Sequence, residues 1–304
     1  QEYLLMLNAS RNEVEMNDLK TKRKFLKKTK LDPQTLRVSD FTKGATVVLL
    51  SRELLLVDYA DKVTREHLEQ NEETVNVLVL PSIHSSLGDV VSSIEATFPL
   101  VDIKSVAGND DDVCVVLSFR GCGSIASVSA LVESSPYYHG LLACSSDAEV
   151  SRLTTATLDN CTCCVIRPHI VKERKVGAVV SDITSRGFTI SAMKMVRLDK
   201  NASAEFLCVY KGVLPDYVDL VDEMSSGPCI AMEIKNGSRS SSIDEEDDIV
   251  EEFRMACGPW DFAVACELHP ESIRAKFGTS SVNKAVHCTD LPKDGSIECG
   301  FFFK

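Results

Sequence analysis

The chain has 304 residues, of which 44% are hydrophobic and 26% charged, the balance of a globular protein rather than a disordered or fibrous one. Its formal net charge of −12 argues against nucleic acid as a partner, because neutralising phosphates requires a basic face. No stretch approaches the ~20 apolar residues of a membrane span, so the sequence predicts no membrane partner.

Short apolar segments separated by turn residues predict a small β-rich domain over residues 1–72. Its strands are expected at residues 3–7, 14–18, 25–26, 46–50 and 54–59. The polar residues 61–73 are expected to form a linker or a short helix.

The apolar pattern of residues 73–157 predicts a second domain, which begins with a strand, a helix and a strand. Apolar spacing indicates a strand at 75–80, a helix at 87–97, and strands at 101–106 and 113–119, with an acidic turn at 109–112.

Residues 158–304 repeat that order and predict a third domain. Strands are expected at 163–167, 189–198 and 229–234, and helices at 175–186, 202–210, 217–225 and 249–255. A β-α-β start in two consecutive segments predicts a duplicated domain with a fuller second copy. Residues 238–248 are Ser-rich and then acidic, which favours a solvated insertion over a metal-binding loop.

Twelve cysteines are scattered along the chain, not framed at regular spacings, which indicates a reducing compartment such as the cytoplasm. Cys161, Cys163 and Cys164 cluster, but a metal site there would lack a second pair or a histidine at suitable spacing. The sequence therefore favours strand packing for these three thiols.

Several separated motifs in residues 161–304 agree in order and spacing with one family. They are Ser225-Ser226-Gly227-Pro228, Gly258-Pro259, Ser272-Ile273-Arg274-Ala275, Ala285-Val286-His287 and the later Glu298. By these motifs the segment resembles the nucleoside diphosphate kinase family. The resemblance implies an α+β chain with a ferredoxin-like β-α-β-β-α-β fold and antiparallel strands.

The resemblance also implies a catalytic pair. His287 is the expected nucleophile and Glu298, eleven residues on, is the acid that orients it. A neutral imidazole can attack a γ-phosphate if a carboxylate holds its other nitrogen and so fixes one tautomer. Mg²⁺ and a nucleotide are the cofactors expected if this domain is functional.

A second set of residues is expected at the nucleotide. Arg254 and Arg274 match the two arginines that neutralise phosphate charge in this family, and Tyr217 lies where the family places an aromatic ring against the base.

Four positions depart from the family pattern. Arg167 replaces a lysine, Cys208 a tyrosine and Trp260 a threonine, and the ribose-binding asparagine falls on Lys284, with Asn283 one position early. Arginine in place of lysine is not a conservative change at a phosphate site. These departures predict weak or lost catalysis.

The middle domain resembles the same fold in reduced form. Leu80-Pro81-Ser82 stands in place of the strand-one motif of the family, which removes the lysine. His139 is a remnant of the histidine motif without its arginines, so we expect it to be structural or exposed.

Residues 13–30 and 54–61 resemble the small pleckstrin-like β domain of axonemal proteins, with its first strand missing. This domain followed by two kinase-like domains is the layout of an axonemal branch of the family. The resemblance implies a structural inner protein of ciliary and flagellar doublet microtubules, with tubulin and other axonemal inner proteins as partners. The expected location is the cytoskeleton of the cilium or flagellum.

Charge is divided unevenly along the chain. Residues 1–72 carry 13 basic and 12 acidic side chains, and the remainder carries 20 and 33. Seven of the basic residues lie between Lys20 and Lys30, which on charge alone indicates a solvated hairpin. The resemblance favours contact with acidic tubulin. The alternative function is an active kinase that moves the γ-phosphate of a nucleoside triphosphate to a nucleoside diphosphate through phospho-His287.

Overall fold

The computed structural model describes residues 2–8, 11–31, 41, 46–49, 52–61, 74–107, 113–120, 125–144, 155–237 and 249–304. Contacts divide the chain into two compact units, Gln1–Glu72 and Glu73–Lys304. The finer division into three domains stays a prediction. The predicted linker at 61–73, apart from Asp61, the acidic turn at 109–112 and the insertion at 238–248 lie outside the described residues.

The first unit is built from strands. β1 (Tyr3–Asn8), β2 (Glu13–Asp18) and β3 (Lys24–Lys30) form an antiparallel sheet in that order, and β4 (Thr46–Leu49) pairs with β5 (Arg52–Leu55). Val14, Met16, Val47 and Leu49 belong to one buried cluster. β3 is longer than the predicted strand at 25–26, because an exposed, lysine-rich strand shows little apolar alternation.

Eight described strands of the second unit form one antiparallel sheet. They are β6 (Thr74–Val79), β7 (Leu100–Ala107), β8 (Val113–Arg120), β9 (Leu141–Cys144), β10 (Thr162–Ile166), β11 (Phe188–Arg197), β12 (Pro228–Asn236) and β13 (Val286–Cys288). The sheet order is β13-β10-β12-β11-β7-β8-β6-β9. One half of the sheet reads β9-β6-β8-β7 from its edge inward, and the other reads β13-β10-β12-β11. Each half therefore has its fourth, first, third and second strand in that order. The halves meet where Lys104 of β7 pairs with Lys194 of β11.

The described helices cover this sheet. They are α1 (Leu87–Glu95), α2 (Ile125–Ser134), α3 (Pro168–Lys172), α4 (Val176–Ser185), α5 (Lys200–Phe206), α6 (Tyr217–Met224), α7 (Ile249–Cys257), α8 (Phe262–Leu268), α9 (Ile273–Phe277) and α10 (Gly295–Phe303). Short 3₁₀ turns lie at Pro81–Ser86, Tyr138–Gly140, Cys208–Tyr210 and Pro292–Asp294. Among these helices we find none with the length and apolar character needed to cross a membrane.

α1 and α4 join the two halves of the sheet. Both helices bury apolar residues at positions i, i+3, i+4 and i+7, the spacing of a helix with one apolar face. Their backbones touch at Gly88 and Gly177: a Cβ at Gly177 would lie 2.3 Å from the Ser92 nitrogen, and a Cβ at Gly88 2.2 Å from the Ser181 nitrogen. Glycine is therefore required on both helices at the crossing.

β10 lies between β12 and β13 and is buried along its whole length. Its alternate residues enter two different cores: Cys164 and Ile166 pack with α4 and α7, and Cys163 and Val165 pack with α5, α6 and α10. This central strand thus fixes the position of the neighbouring short strand β13.

Two expected elements are corrected. The predicted helix at 202–210 is α5 followed by a separate 3₁₀ turn. The predicted strand at 163–167 ends at Ile166, and Arg167 instead precedes α3 as its N-cap residue. Pro168 explains this boundary, because its fixed φ favours the first position of a helix.

Candidate active site

His287 lies at the centre of β13, paired with Val165 of β10. Side chains alternate along a strand, so Val286 and Cys288 enter the core under α7 and His287 faces the opposite side. There its ring meets Phe206 at 4.8 Å in an edge contact, and only 2% of the residue is exposed.

One imidazole nitrogen is held and the other is available. The Nε2 atom lies 2.9 Å from Glu298 Oε2, and the Thr289 hydroxyl donates to the same oxygen at 2.9 Å. The Cys163 backbone N–H donates to Thr289 Oγ1 at 3.0 Å. His287 Nδ1 has no hydrogen-bond partner among the described residues. With Nε2 as the donor, Nδ1 carries the lone pair that a nucleophile needs.

The Glu298 carboxylate is kept ionised by this arrangement. Burial raises its pKa, but the adjacent His287 ring, its hydrogen bond and the hydroxyl of Thr289 outweigh burial, and the pKa falls below the ordinary value. A charged Glu298 fixes the ring tautomer. The structure thus brings together the two residues predicted as nucleophile and orienting acid.

The tyrosine next to this pair is Tyr210, which the sequence comparison missed. The family tyrosine was assigned to Cys208, which is exposed. Tyr210, two residues on in the same 3₁₀ turn, lies 6.3 Å from the His287 ring in an edge contact. Its hydroxyl donates to Asp290 Oδ2 at 2.5 Å. The sequence signal that could have identified Tyr210 is its position two residues after Cys208, within one helical turn.

Arg167 is buried and already paired. Its Nε atom lies 3.1 Å from Glu223 Oε2, and its Nη1 donates to the Val282 carbonyl at 3.0 Å. Glu223 also contacts His169 Nδ1 at 2.8 Å. Burial lowers the pKa of Arg167, and Glu223 opposes that effect. Glu223 was missed from the sequence, since nothing local to α6 indicates a buried ion pair with α3.

Lys284 and Trp260, two of the departures from the family pattern, contact each other. The Lys284 ammonium donates to the Trp260 carbonyl at 2.9 Å and lies 3.9 Å from the centre of the Trp260 ring, a cation–π contact. Burial and repulsion by Arg274 and Arg167 lower the pKa of Lys284 to about 8. Tyr210 stacks on the same indole at 4.9 Å.

The two predicted phosphate-binding arginines differ in their surroundings. Arg274 is 2% exposed, donates to the Gly258 carbonyl at 2.6 Å, and reaches the Cys288 sulfur at 3.2 Å. Arg254 is exposed, with its Nε 3.7 Å from Asp290 Oδ1. Arg274 therefore contacts β13 from the protein interior, and Arg254 is open to solvent.

Tyr217 and Asn283 make local contacts. Tyr217 begins α6, and its hydroxyl donates to the Ala204 carbonyl at 3.1 Å. The Asn283 backbone N–H donates to Ser280 Oγ at 3.0 Å, and its carbonyl accepts from the Thr279 N–H at 2.8 Å.

The turn before His287 is strained. Ala285 has φ +66°, a conformation that favours glycine. The Val286 N–H donates to the Lys284 carbonyl at 2.8 Å across it, which closes a γ-turn. Ala285 also accepts from the Arg167 N–H at 2.9 Å, so the strained turn fixes Arg167 next to β13.

The polar groups predicted to meet a nucleotide differ in what they contact. Arg167 Nη2 and His287 Nδ1 have no hydrogen-bond partner among the described residues. Arg167 Nη2 could donate to an anion, whereas His287 Nδ1 presents its lone pair. Lys284 and Arg274 donate to backbone carbonyls of the same chain, whereas Arg254 is open to solvent.

Comparison with known proteins gives the family. The nucleoside diphosphate kinase model matches residues 160–304. Nucleoside diphosphate kinase homolog 7 of Rattus norvegicus is 31% identical over 361 aligned positions, which cover 99% of this chain and 88% of that protein. The nucleoside diphosphate kinase of Chloroherpeton thalassium is 36% identical over 47% of this chain and 91% of its own length. A crystal form of the Aquifex aeolicus nucleoside diphosphate kinase is 30% identical, with a TM-score of 0.41, over 47% of this chain and 94% of that one.

The family model that matches residues 160–304 describes a phosphotransferase family, and the chain belongs to the nucleoside diphosphate kinases. Residues 160–304 form its ferredoxin-like α+β domain. Similarity over nearly the whole chain is to the homolog 7 proteins of rat and mouse.

Proposed function

We propose that this protein is a structural inner protein of axonemal doublet microtubules in cilia and flagella, built on a nucleoside diphosphate kinase scaffold with weak or lost catalysis. The observation that carries the proposal is the pocket described above. Its cationic groups at Arg167 and Lys284 contact Glu223 and Trp260 of the same chain, whereas the scaffold around them is intact.

A scaffold role is supported by the repeated strand order of the second unit. The half formed by β6, β7, β8 and β9 keeps the order of the half that contains His287. Its own histidine, His139, is exposed and lies 3.6 Å from the Tyr138 ring. We therefore assign residues 73–157 to a reduced kinase-like domain that serves packing, and residues 158–304 to the complete one.

We propose that the first unit is a pleckstrin-like domain and that it binds tubulin. β3 forms one edge of the described three-stranded sheet, and Lys27, Lys28 and Lys30 are exposed along it. Exposed edge lysines also discourage strand-to-strand aggregation. An acidic polymer such as tubulin would be attracted to such a strand, and salt would weaken the attraction. Other axonemal inner proteins are the further partners proposed.

Copolymerisation with tubulin tests this assignment. We expect the full chain to enter microtubules when it is present during assembly, as an inner protein must. The variant Lys27→Glu/Lys28→Glu/Lys30→Glu should enter about tenfold less, because it reverses the charge of the strand. Its matched control reverses three exposed lysines of the second unit, Lys172, Lys211 and Lys293. Equal incorporation of the two variants, or none of the wild type, would contradict the proposal.

A second candidate is an active nucleoside diphosphate kinase, with Mg²⁺ and nucleotide as cofactors. It is favoured by the His287–Glu298 geometry, which leaves Nδ1 available. The double variant Trp260→Thr/Lys284→Asn restores the residue types of the family at two pocket positions. If self-contacts close the pocket, this variant should bind adenosine diphosphate at least tenfold more tightly than the wild type by calorimetry. Equally tight binding by both would favour the active kinase.

A further inference from the structure

Four side chains form a buried cluster outside the His287 pocket, which we call the thiol cluster. It consists of Cys161, Cys163, Cys299 and Glu233. The sulfur atoms of Cys161 and Cys299 and a carboxylate oxygen of Glu233 all lie within 4.8 Å of one another. Cys163 is buried in the same core as Cys161 and Cys299. In the sequence, Cys161, Cys163 and Cys164 have no second pair and no histidine at suitable spacing, and Cys299 and Glu233 are distant from them in the chain.

The fold explains how these groups meet. Cys163 of β10 faces Glu233 of β12 in the antiparallel register, and Cys161 lies two residues before Cys163. α10 crosses the start of β10 closely, since a Cβ on Gly295 would lie 2.1 Å from the Cys161 carbonyl oxygen. Cys299 follows Gly295 by one helical turn and therefore shares its face.

Hydrogen bonds to both carboxylate oxygens fix the position of Glu233, as is common for carboxylates that bind metals. Its Oε1 accepts from the Thr157 N–H at 3.0 Å and from the Ser191 hydroxyl at 2.6 Å. Its Oε2 accepts from the Leu158 N–H at 2.8 Å. Such outer hydrogen bonds fix the orientation of metal-binding carboxylates, and the second lone pair of Oε2 can still coordinate.

We propose that the thiol cluster is a structural Zn²⁺ site, with Cys161, Cys299 and Glu233 as ligands and Cys163 as the fourth. Zinc prefers four tetrahedral ligands, and thiolates suit it. With zinc–sulfur bonds of about 2.3 Å, ligand atoms stand roughly 3.8 Å apart, so the ligand atoms of Cys161, Cys299 and Glu233 must approach one another by about 1 Å. The Cys163 sulfur lies outside that group and must move further to become the fourth ligand. On binding, each ligating S–H bond breaks, its electron pair goes to zinc, and its proton is released to solvent.

Such an ion would connect the sheet to the helix that carries the orienting acid. Cys299 directly follows Glu298 in α10, and Glu298 holds His287 at 2.9 Å. Zinc would thus cross-link β10, β12 and α10. The site does not depend on kinase activity or on tubulin binding, because its ligands are separate from both.

Cobalt substitution tests the site directly. The full chain, reduced and treated with chelator, is titrated with Co²⁺ and then with Zn²⁺. We expect one equivalent of Co²⁺ to give the visible absorption of a tetrahedral site and a near-ultraviolet sulfur-to-cobalt band, and Zn²⁺ to displace both and raise the melting temperature by more than 5 °C. Absence of the sulfur-to-cobalt band in the wild type would overturn the proposal without any variant.

Variants then identify the ligands. Cys161→Ser and Cys299→Ser should each lower zinc affinity at least tenfold in a chelator competition, in line with loss of a thiolate. The matched control is Cys164→Ser, because Cys164 is a buried neighbour on the opposite face of β10. Equal affinity of the Cys161 and Cys164 variants would overturn the assignment.

Discussion

The two halves of the eight-stranded sheet share a strand order but not a site. In the first half, β8 connects to β9 through residues 121–140, and in the second, β12 connects to β13 through residues 237–285. The longer connection contains Arg254, Trp260, Arg274 and Lys284, whose side chains contact one another or residues within three positions of His287. The strands therefore specify the sheet, and the connection before the last strand specifies the chemistry.

The histidines of the two halves show the same difference. His287 is buried and held by Glu298, while His139 is exposed beside Tyr138. A fold of this kind can lose its pocket without losing its sheet. Four tests follow from this comparison.

The largest effect is expected where the halves meet. Gly177→Ala should lower the free energy of unfolding by about 3 kcal/mol, because its Cβ would lie 2.3 Å from the Ser92 backbone nitrogen. Alanine favours helix by about 1 kcal/mol over glycine, so the close approach must outweigh helix propensity. Urea unfolding measures the loss.

Gly227→Ala is the matched control for that measurement. Its Cβ would meet Pro168 at an ordinary 3.5 Å, so its stability should change by less than about 0.5 kcal/mol. A stable Gly177→Ala variant would show that the halves do not rely on the α1–α4 crossing.

The second effect is a difference in stability between replacement of His287 and replacement of His139. His287→Ala should cost about 2 kcal/mol, because it leaves the partly buried Glu298 carboxylate without its main partner. His139→Ala should change stability by less than about 0.5 kcal/mol, as exposed residues do. Equal losses in thermal unfolding would contradict the difference in their surroundings.

The third effect is a pH dependence at Glu95 of α1, which accepts from the Gly177 N–H of α4 at 2.9 Å. Burial raises the pKa of Glu95 to about 7, against the backbone hydrogen bonds and the charge of Arg174. The folded state then binds more protons than the unfolded state between about pH 4.5 and 7, so stability falls as pH rises through that window. We expect a loss of about 1 to 2 kcal/mol.

Glu95→Gln should remove that decline, since glutamine does not titrate. Glu133→Gln changes an exposed glutamate of the same half and should retain it. Parallel pH profiles for the wild type and Glu95→Gln would show that Glu95 is ionised in the folded protein throughout.

The smallest effect concerns the turn before β13. Ala285→Gly should raise the free energy of unfolding by up to about 1 kcal/mol, because glycine adopts φ +66° without strain. An unchanged or lower unfolding midpoint would mean that the turn is not strained.

Much of the second unit was predictable from the sequence. The helices α1 and α4 follow from apolar residues at i, i+3, i+4 and i+7, and the strand β10 from a continuous apolar run. The pair His287 and Glu298 was predicted from the resemblance to the family, and the structure places the two side chains in contact. Local periodicity and fixed spacing are properties that a sequence displays.

Contacts between distant segments were not predictable in the same way. Glu223 lies on a different element from Arg167, and Trp260 meets Lys284 across 24 positions. The thiol cluster likewise needs the register of β10 with β12 and the close approach of α10. α2 was not predicted from the sequence either.

Incubation of the full chain with γ-labelled adenosine triphosphate and Mg²⁺ tests the central claim, that the pocket keeps its nucleophile but not its catalysis. We predict that acid-labile label on the wild type stays below about a tenth of one equivalent, and that Trp260→Thr/Lys284→Asn raises it. Rapid, stoichiometric label on the wild type that is absent from His287→Ala would contradict this account and establish a working kinase.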